Sequence, residues 1–81
     1  YIADFYFKQK KYLGALTRYE IFLQSFPQNQ RVPYGLLRAA QSAQLAQMPD
    51  RLLLHVQRLI SEHPQSAEAS SAKKEFPGVA R

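Results

Sequence analysis

Two histidines, His55 and His63, six scattered acids and no cysteine are the principal stock from which this 81-residue chain could build a metal centre or a proton-transfer site. The histidines stand eight positions apart, which on a helix separates their Cα atoms by about 12 Å. That is too far for one metal ion. His63 stands before Pro64 as Phe26 stands before Pro27, and its expected role is a partly buried helix end. No nucleophile elbow, phosphate loop, His-Glu-x-x-His or paired-carboxylate spacing occurs. The chain is therefore expected to be non-enzymatic, with no catalytic residues, no metal and no cofactor. The absence of cysteine also excludes disulfide and zinc-thiolate frameworks.

The groups left for recognition are cationic and aromatic. Eleven Lys and Arg against six Asp and Glu leave a net charge of +5. Lys8, Lys10 and Lys11 cluster, whereas Arg18, Arg31, Arg38, Arg51 and Arg58 are spread along the chain. Nucleic-acid binding concentrates such charge on one face or one recognition helix. Dispersal over several helices favours ordinary solvation, with an acidic protein or anionic lipid surface next. Lysines beside a helix C-terminus also complement its dipole. Tyr1, Phe7, Tyr34 and Phe76 are surplus to the main apolar stripes and are expected to cover neighbouring repeats or to capture a peptide.

The elements that must position these groups are helices. Apolar residues recur at three- and four-residue spacing: Ile2, Phe5, Tyr6; then Tyr12, Ala15, Leu16, Tyr19, Phe22, Leu23, Phe26; then Leu36, Ala39, Ala40, Ala43; then Leu52, Leu53, Val56, Leu59, Ile60. A fifth helix is expected from Ala67 to about Phe76, stopped by Pro77-Gly78. Pro33 and Pro49 suit first helical turns, and Pro27 and Pro64 end the helices before them. Asp50 and Glu68 lie where helix N-termini favour negative charge. The ladder Tyr6, Tyr12, Tyr19, Phe22 and Phe26 is expected to form the core of the first hairpin. A 46% hydrophobic content is too rich for disorder, yet a chain this short buries only about 60–65% of its unfolded surface. No apolar run reaches the ~18–20 residues of a membrane span. The opening on Tyr1, without an initiator Met, reads as a segment of a longer protein.

Internal repetition resolves the shortage of core. At a 37-residue offset Pro27 matches Pro64, Ala3 matches Ala40, Leu16 matches Leu53, Phe22 matches Leu59, Leu23 matches Ile60, Asn29 matches Ser66 and Val32 matches Ala69. One helical hairpin is written twice, with Ala at 3, 15, 40 and 43 allowing close helix approach. Repeat 1 covers about residues 1–29, repeat 2 about 33–66, and the final helix about 67–76, giving a repeat domain over 1–76 and a tail over 77–81. Stacked repeats cover one another's open faces.

Tyr6, Tyr12, Ala15, Tyr19 and Pro27, followed by Leu36, Ala40, Ala43, Leu52, Val56 and Pro64, stand at the spacings of the tetratricopeptide repeat, which the chain resembles over about 75 residues. It departs from that pattern at Phe22, at Pro49 and in three extra residues per repeat. The junctions Phe26-Pro27-Gln28-Asn29 and His63-Pro64-Gln65-Ser66 are similar to those of bacterial envelope tetratricopeptide proteins, in particular the BamD group of outer-membrane assembly lipoproteins. The resemblance implies an all-α solenoid of antiparallel hairpins acting as a protein-protein interaction scaffold, periplasmic and outer-membrane associated. A cytoplasmic adaptor or regulatory domain is the alternative, and an RNA-binding helical repeat a further one. It also implies that the first helix of each hairpin lines the concave, partner-binding face. The matching residues are Asp4, Phe7 and Lys8, then Tyr34, Leu37, Arg38, Gln41, Gln44 and Leu45. Leu37 and Gln41 lack the Lys and Asn chemistry with which some members clamp a terminal carboxylate, so the expected partner is an extended or helical protein segment.

Overall fold

The structure is a computed structural model that describes residues 2–79. Tyr1 and the last two residues of the expected tail, Ala80 and Arg81, lie outside the described residues. Five helices follow in order: α1 (Ile2–Lys8), α2 (Tyr12–Ser25), α3 (Val32–Leu45), α4 (Pro49–Glu62) and α5 (Ala67–Glu75). There is no strand among the described residues, and the chain is all-α. Pro33 and Pro49 fall in the first turns of α3 and α4, where a missing N–H removes no helical bond. Ser66 caps α5, its Oγ accepting from the Ala69 amide at 3.0 Å. Asn29, one repeat earlier, makes the related bond, its side-chain oxygen accepting from the Arg31 amide at 2.8 Å.

Short turns force α1 against α2 and α3 against α4 as antiparallel pairs; α2 also packs along α3, and α5 rests on both α3 and α4. The Cα envelope is 29 × 27 × 18 Å, so the molecule is two helix layers thick, given a helix diameter of about 10 Å. Helix α3 is central, and its small residues explain how. Gly35, Ala39, Ala40, Ser42 and Ala43 are all buried beside Val32 and Leu36. A Cβ at Gly35 would stand 3.1 Å from the Phe22 ring and 3.2 Å from Leu23 Cδ2, which is how closely α2 approaches α3.

The repetition read from side chains recurs in the backbone. Lys10 and Gln47, 37 residues apart, adopt φ of 62° and 60°. In the first turn the Lys11 amide donates to the Tyr6 carbonyl at 2.9 Å and the Lys10 amide to Phe7 at 3.0 Å. In the second turn Met48 donates to Ala43 at 2.8 Å and Gln47 to Gln44 at 3.1 Å. These paired bonds form a Schellman motif, whose left-handed position usually carries glycine. A side chain there is strained by about 1 kcal/mol or more. Lys10→Gly and Gln47→Gly are each expected to raise unfolding stability by about 0.5–1 kcal/mol, measured by urea titration; a loss of stability at either site would contradict the turn geometry.

Several expectations about burial are corrected. Phe26, expected in the core ladder, is 58% exposed at the C-cap of α2. Tyr6, Tyr12 and Phe22 are only half-buried, and of that ladder Tyr19 alone is buried. Ile2, Phe5 and Leu53, expected on apolar stripes, are exposed. Phe76, expected to cover a neighbouring repeat, is buried as the C-cap of α5, which ends one residue earlier than expected. His63 is half-buried beside Pro64, as its place at the helix end suggested.

Candidate interaction face

On α3, Tyr34, Arg38 and Gln41 are spaced i, i+4, i+7 and so share one face. That face meets α1 on one side and α5 on the other. The Asp4 carboxylate on α1 accepts from the Tyr19 hydroxyl and, at 2.9 Å, from the Tyr34 hydroxyl. Arg38 Nε donates to the Tyr34 hydroxyl at 3.2 Å, and Arg38 Nη1 to Gln41 Oε1 at 3.3 Å. Gln41 Nε2 donates in turn to the two carboxylate oxygens of Glu75 on α5, at 3.0 and 3.3 Å. The Arg38 guanidinium also lies over Phe7, 4.5 Å from the ring centroid, and Arg31 lies over Tyr34 at 4.6 Å. Phe7 sets its edge against Tyr12, the centroids 5.5 Å apart.

A single polar run thus crosses α1, α3 and α5, and it obeys the repeat. Asp4 and Gln41 are equivalent at the 37-residue offset, as are Arg38 and Glu75. Asp4 and Gln41 each reach forward to the next odd-numbered helix. Of the residues the family resemblance assigned to a partner-binding face, Asp4, Phe7, Tyr34, Arg38 and Gln41 are brought together here. Leu37 is half-buried against the core, while Lys8, Gln44 and Leu45 are exposed and belong to no such cluster. Sequence reasoning missed Glu75, whose equivalence to Arg38 was the available signal, and the junction of Tyr19 with this network.

Electrostatics favour the ionised form of Asp4. Burial pushes the Asp4 carboxyl up, but the Tyr19 and Tyr34 hydroxyls and the Arg38 charge more than offset this and hold it below its ordinary value. Burial first, and then the Asp4 carboxylate, push the Tyr19 hydroxyl up, so it remains a donor. A carboxyl whose folded pKa is depressed contributes stability that is present above its unfolded value, 3.8, and is lost as pH falls through the folded one. Asp4→Asn is therefore expected to flatten stability against pH below about pH 4, measured by thermal melts across an acid series. An unaltered acid limb would show that Asp4 is not linked to folding.

A second cluster joins α2 to α4. Glu20 Oε2 lies 2.7 Å from His55 Nε2, and Glu20 Oε1 accepts from Arg51 Nη2. The carboxylate can only accept, which places a proton on Nε2; Nδ1 is buried without a hydrogen-bond partner among the described residues. Glu20→Ala would leave the buried imidazole with neither nitrogen paired, costing about 1–3 kcal/mol. A Glu20→Gln control, which keeps an acceptor, should recover part of that loss in the same unfolding assay.

No group of three or more His, Cys, Asp or Glu that could hold a metal ion occurs among the described residues, and no described helix is long and apolar enough to cross a membrane. What the α1–α3–α5 face offers is aromatic area, cations stacked on it and hydrogen-bonding groups in a row, a set suited to holding a polypeptide. No family model, no curated protein and no solved structure matches this chain.

Proposed function

We propose that the chain is a non-catalytic scaffold of tetratricopeptide type that holds partner proteins against its α1–α3–α5 face, and that it serves outer-membrane protein assembly in a bacterial envelope. The observation that carries the reading is the recurrence of one hairpin at a 37-residue offset, in side chains, in turn conformation and in the contacts of Asp4 and Gln41. Repeats of this kind build an extended face from equivalent helices, and equivalent helices are what α1, α3 and α5 supply. The envelope location rests on the Pro-x-Asn and Pro-x-Ser junctions at Pro27 and Pro64.

The test places a photo-crosslinking amino acid at Gln41 or Glu75 on the proposed face, and at Gln24 or Gln57 on the even-numbered helices, in cells making the full-length protein. Crosslinks from the first pair to envelope proteins, with none from the second, are expected. Crosslinks to cytosolic proteins alone would move the scaffold to the cytoplasm. Crosslinks to RNA, abolished by salt, would replace it with a nucleic-acid reader.

A further inference from the structure

Helices α1 and α3 finish, and α2 and α4 begin, at the two hairpin turns, so both turns lie at one end of the bundle. That end gathers the three lysines that cluster in the sequence, Lys8, Lys10 and Lys11, and sets Leu13, Leu45 and Met48 beside them, all six exposed. None of the three lysines has an ion-pair partner among the described residues, and Asp50 is the one carboxylate within the two turn segments, residues 8–13 and 45–50. The exposure belongs to the repeat itself. At the 37-residue offset Lys8 matches Leu45, Lys10 matches Gln47, Lys11 matches Met48 and Leu13 matches Asp50, and all eight are exposed. The first copy has a hairpin stacked after it and the second has one stacked before it, yet neither copy is covered at this end. A further repeat on either flank would stack in the same way and leave these residues open. Lys10 also occupies the left-handed position of its turn, with φ of 62°, where glycine is the relaxed choice. A lysine kept in a strained conformation points to a use for its charge.

We propose that this end of the bundle docks on an anionic phospholipid surface, the lysines meeting lipid phosphates and Leu13, Leu45 and Met48 entering the boundary between headgroups and acyl chains. Charge complementarity sets the sign of the partner, since unpaired lysines are drawn to a negatively charged leaflet. The apolar members set its kind. A bilayer offers anionic oxygens and hydrocarbon within a few ångströms of each other, so lysines and leucines are satisfied together. A single-stranded nucleic acid would meet the lysines but asks for aromatic rings on which bases stack, and none of these six side chains is aromatic. Docking of this kind is reversible, because a few charges and apolar side chains fall short of a permanent anchor. With the bundle standing on its hairpin turns, the α1–α3–α5 face stays open to a protein at the side, and the proposal does not depend on what binds there.

The experiment uses the lack of tryptophan in the chain. Met48→Trp places a single reporter at the docking end and Gln24→Trp one at the far end of α2, both at exposed positions. Each protein is titrated with vesicles of phosphatidylcholine alone or mixed with phosphatidylglycerol. A saturable blue shift of the Met48→Trp emission is expected with the mixed vesicles, with none from phosphatidylcholine alone and none from Gln24→Trp. In sedimentation with the mixed vesicles, Lys8→Gln, Lys10→Gly and Lys11→Gln should each raise the Kd about fivefold. Lys10→Gly is the decisive one, because it is expected to stabilise the fold while it weakens docking. Leu13→Ser combined with Leu45→Ser should leave the unfolding midpoint unchanged, both side chains being exposed, and weaken docking about tenfold. Equal binding of the two vesicle types, no shift from Met48→Trp, unaltered docking of Lys10→Gly, displacement by inorganic phosphate at matched ionic strength, or tighter binding of a single-stranded RNA that the leucine variant retains would each overturn the proposal. Failure to bind vesicles leaves the crosslinking result for the α1–α3–α5 face standing, and failure of the crosslinking leaves the vesicle result standing.

Discussion

Tyr19→Ala is expected to cost about 3–5 kcal/mol of unfolding stability, the range for truncating a large buried aromatic. Tyr19 is 4% exposed and stands where α1, α2 and α3 converge, so its removal opens a cavity that three helices cannot easily close. The substitution also takes one of two hydroxyl donors from Asp4. An 81-residue domain has a total stability of only about 4–12 kcal/mol, so the variant should be close to unfolded at room temperature. Tyr19→Phe separates the two contributions. It keeps the ring and loses the hydrogen bond, and should cost about 1 kcal/mol or somewhat more. Equilibrium urea unfolding followed by circular dichroism measures both. Equal losses from Phe and Ala would assign the effect to the Asp4 bond and refute the packing argument.

The second large effect is expected from Leu16→Asp, set against Leu13→Asp three residues earlier on the same helix. Leu16 is 2% exposed within the core of α2, and an aspartate there would be a buried charge with no partner placed to meet it. Loss of the cooperative fold is expected, seen as a missing unfolding transition. Leu13 is 59% exposed, so an aspartate in its place should change stability by no more than about 0.5 kcal/mol. The contrast reads the rotation of α2 directly. Equal damage at both positions would mean that the helix faces its neighbours differently.

Leu13 and Leu16 also show how far the sequence was legible. Three- and four-residue periodicity put Leu16, Ala15, Tyr19 and Leu23 on one face of α2, and those four are the residues the helix buries. The period is a local property of an α-helix, which is why it could be read without knowing the fold. The prolines at 27, 33, 49 and 64 worked in the same way, because a missing N–H acts on its own turn whatever lies nearby. The same spacing misled at Phe26. That ring continues the stripe of α2, but burial requires a neighbour as well as a face, and Phe26 stands 58% exposed at the C-cap. Phe76 failed in the opposite sense: no stripe called for it, yet the packing of α5 on α3 and α4 closes the core with it.

The interaction face divides along the same line. The residues on α3 shared a face by spacing alone, and the family pattern pointed to that face. That Asp4 receives the hydroxyls of Tyr19 and Tyr34, 15 and 30 positions away, and that Gln41 finds Glu75 34 positions on, depended on which helices became neighbours. His55 is the sharpest case. In the chain it is one histidine on a helical stretch, and only the approach of α2 to α4 pairs it with Glu20, 35 positions earlier.

By itself, then, the sequence determined the helices, their ends, the 37-residue repetition and the all-α class, because each follows from interactions within a few residues or from comparing the chain with itself. Only the tertiary structure decided which apolar side chains are covered and which polar groups meet. Those outcomes depend on how whole helices dock, as α5 shows: packed on α3 and α4, it brings Phe76, just past its last turn, into the core.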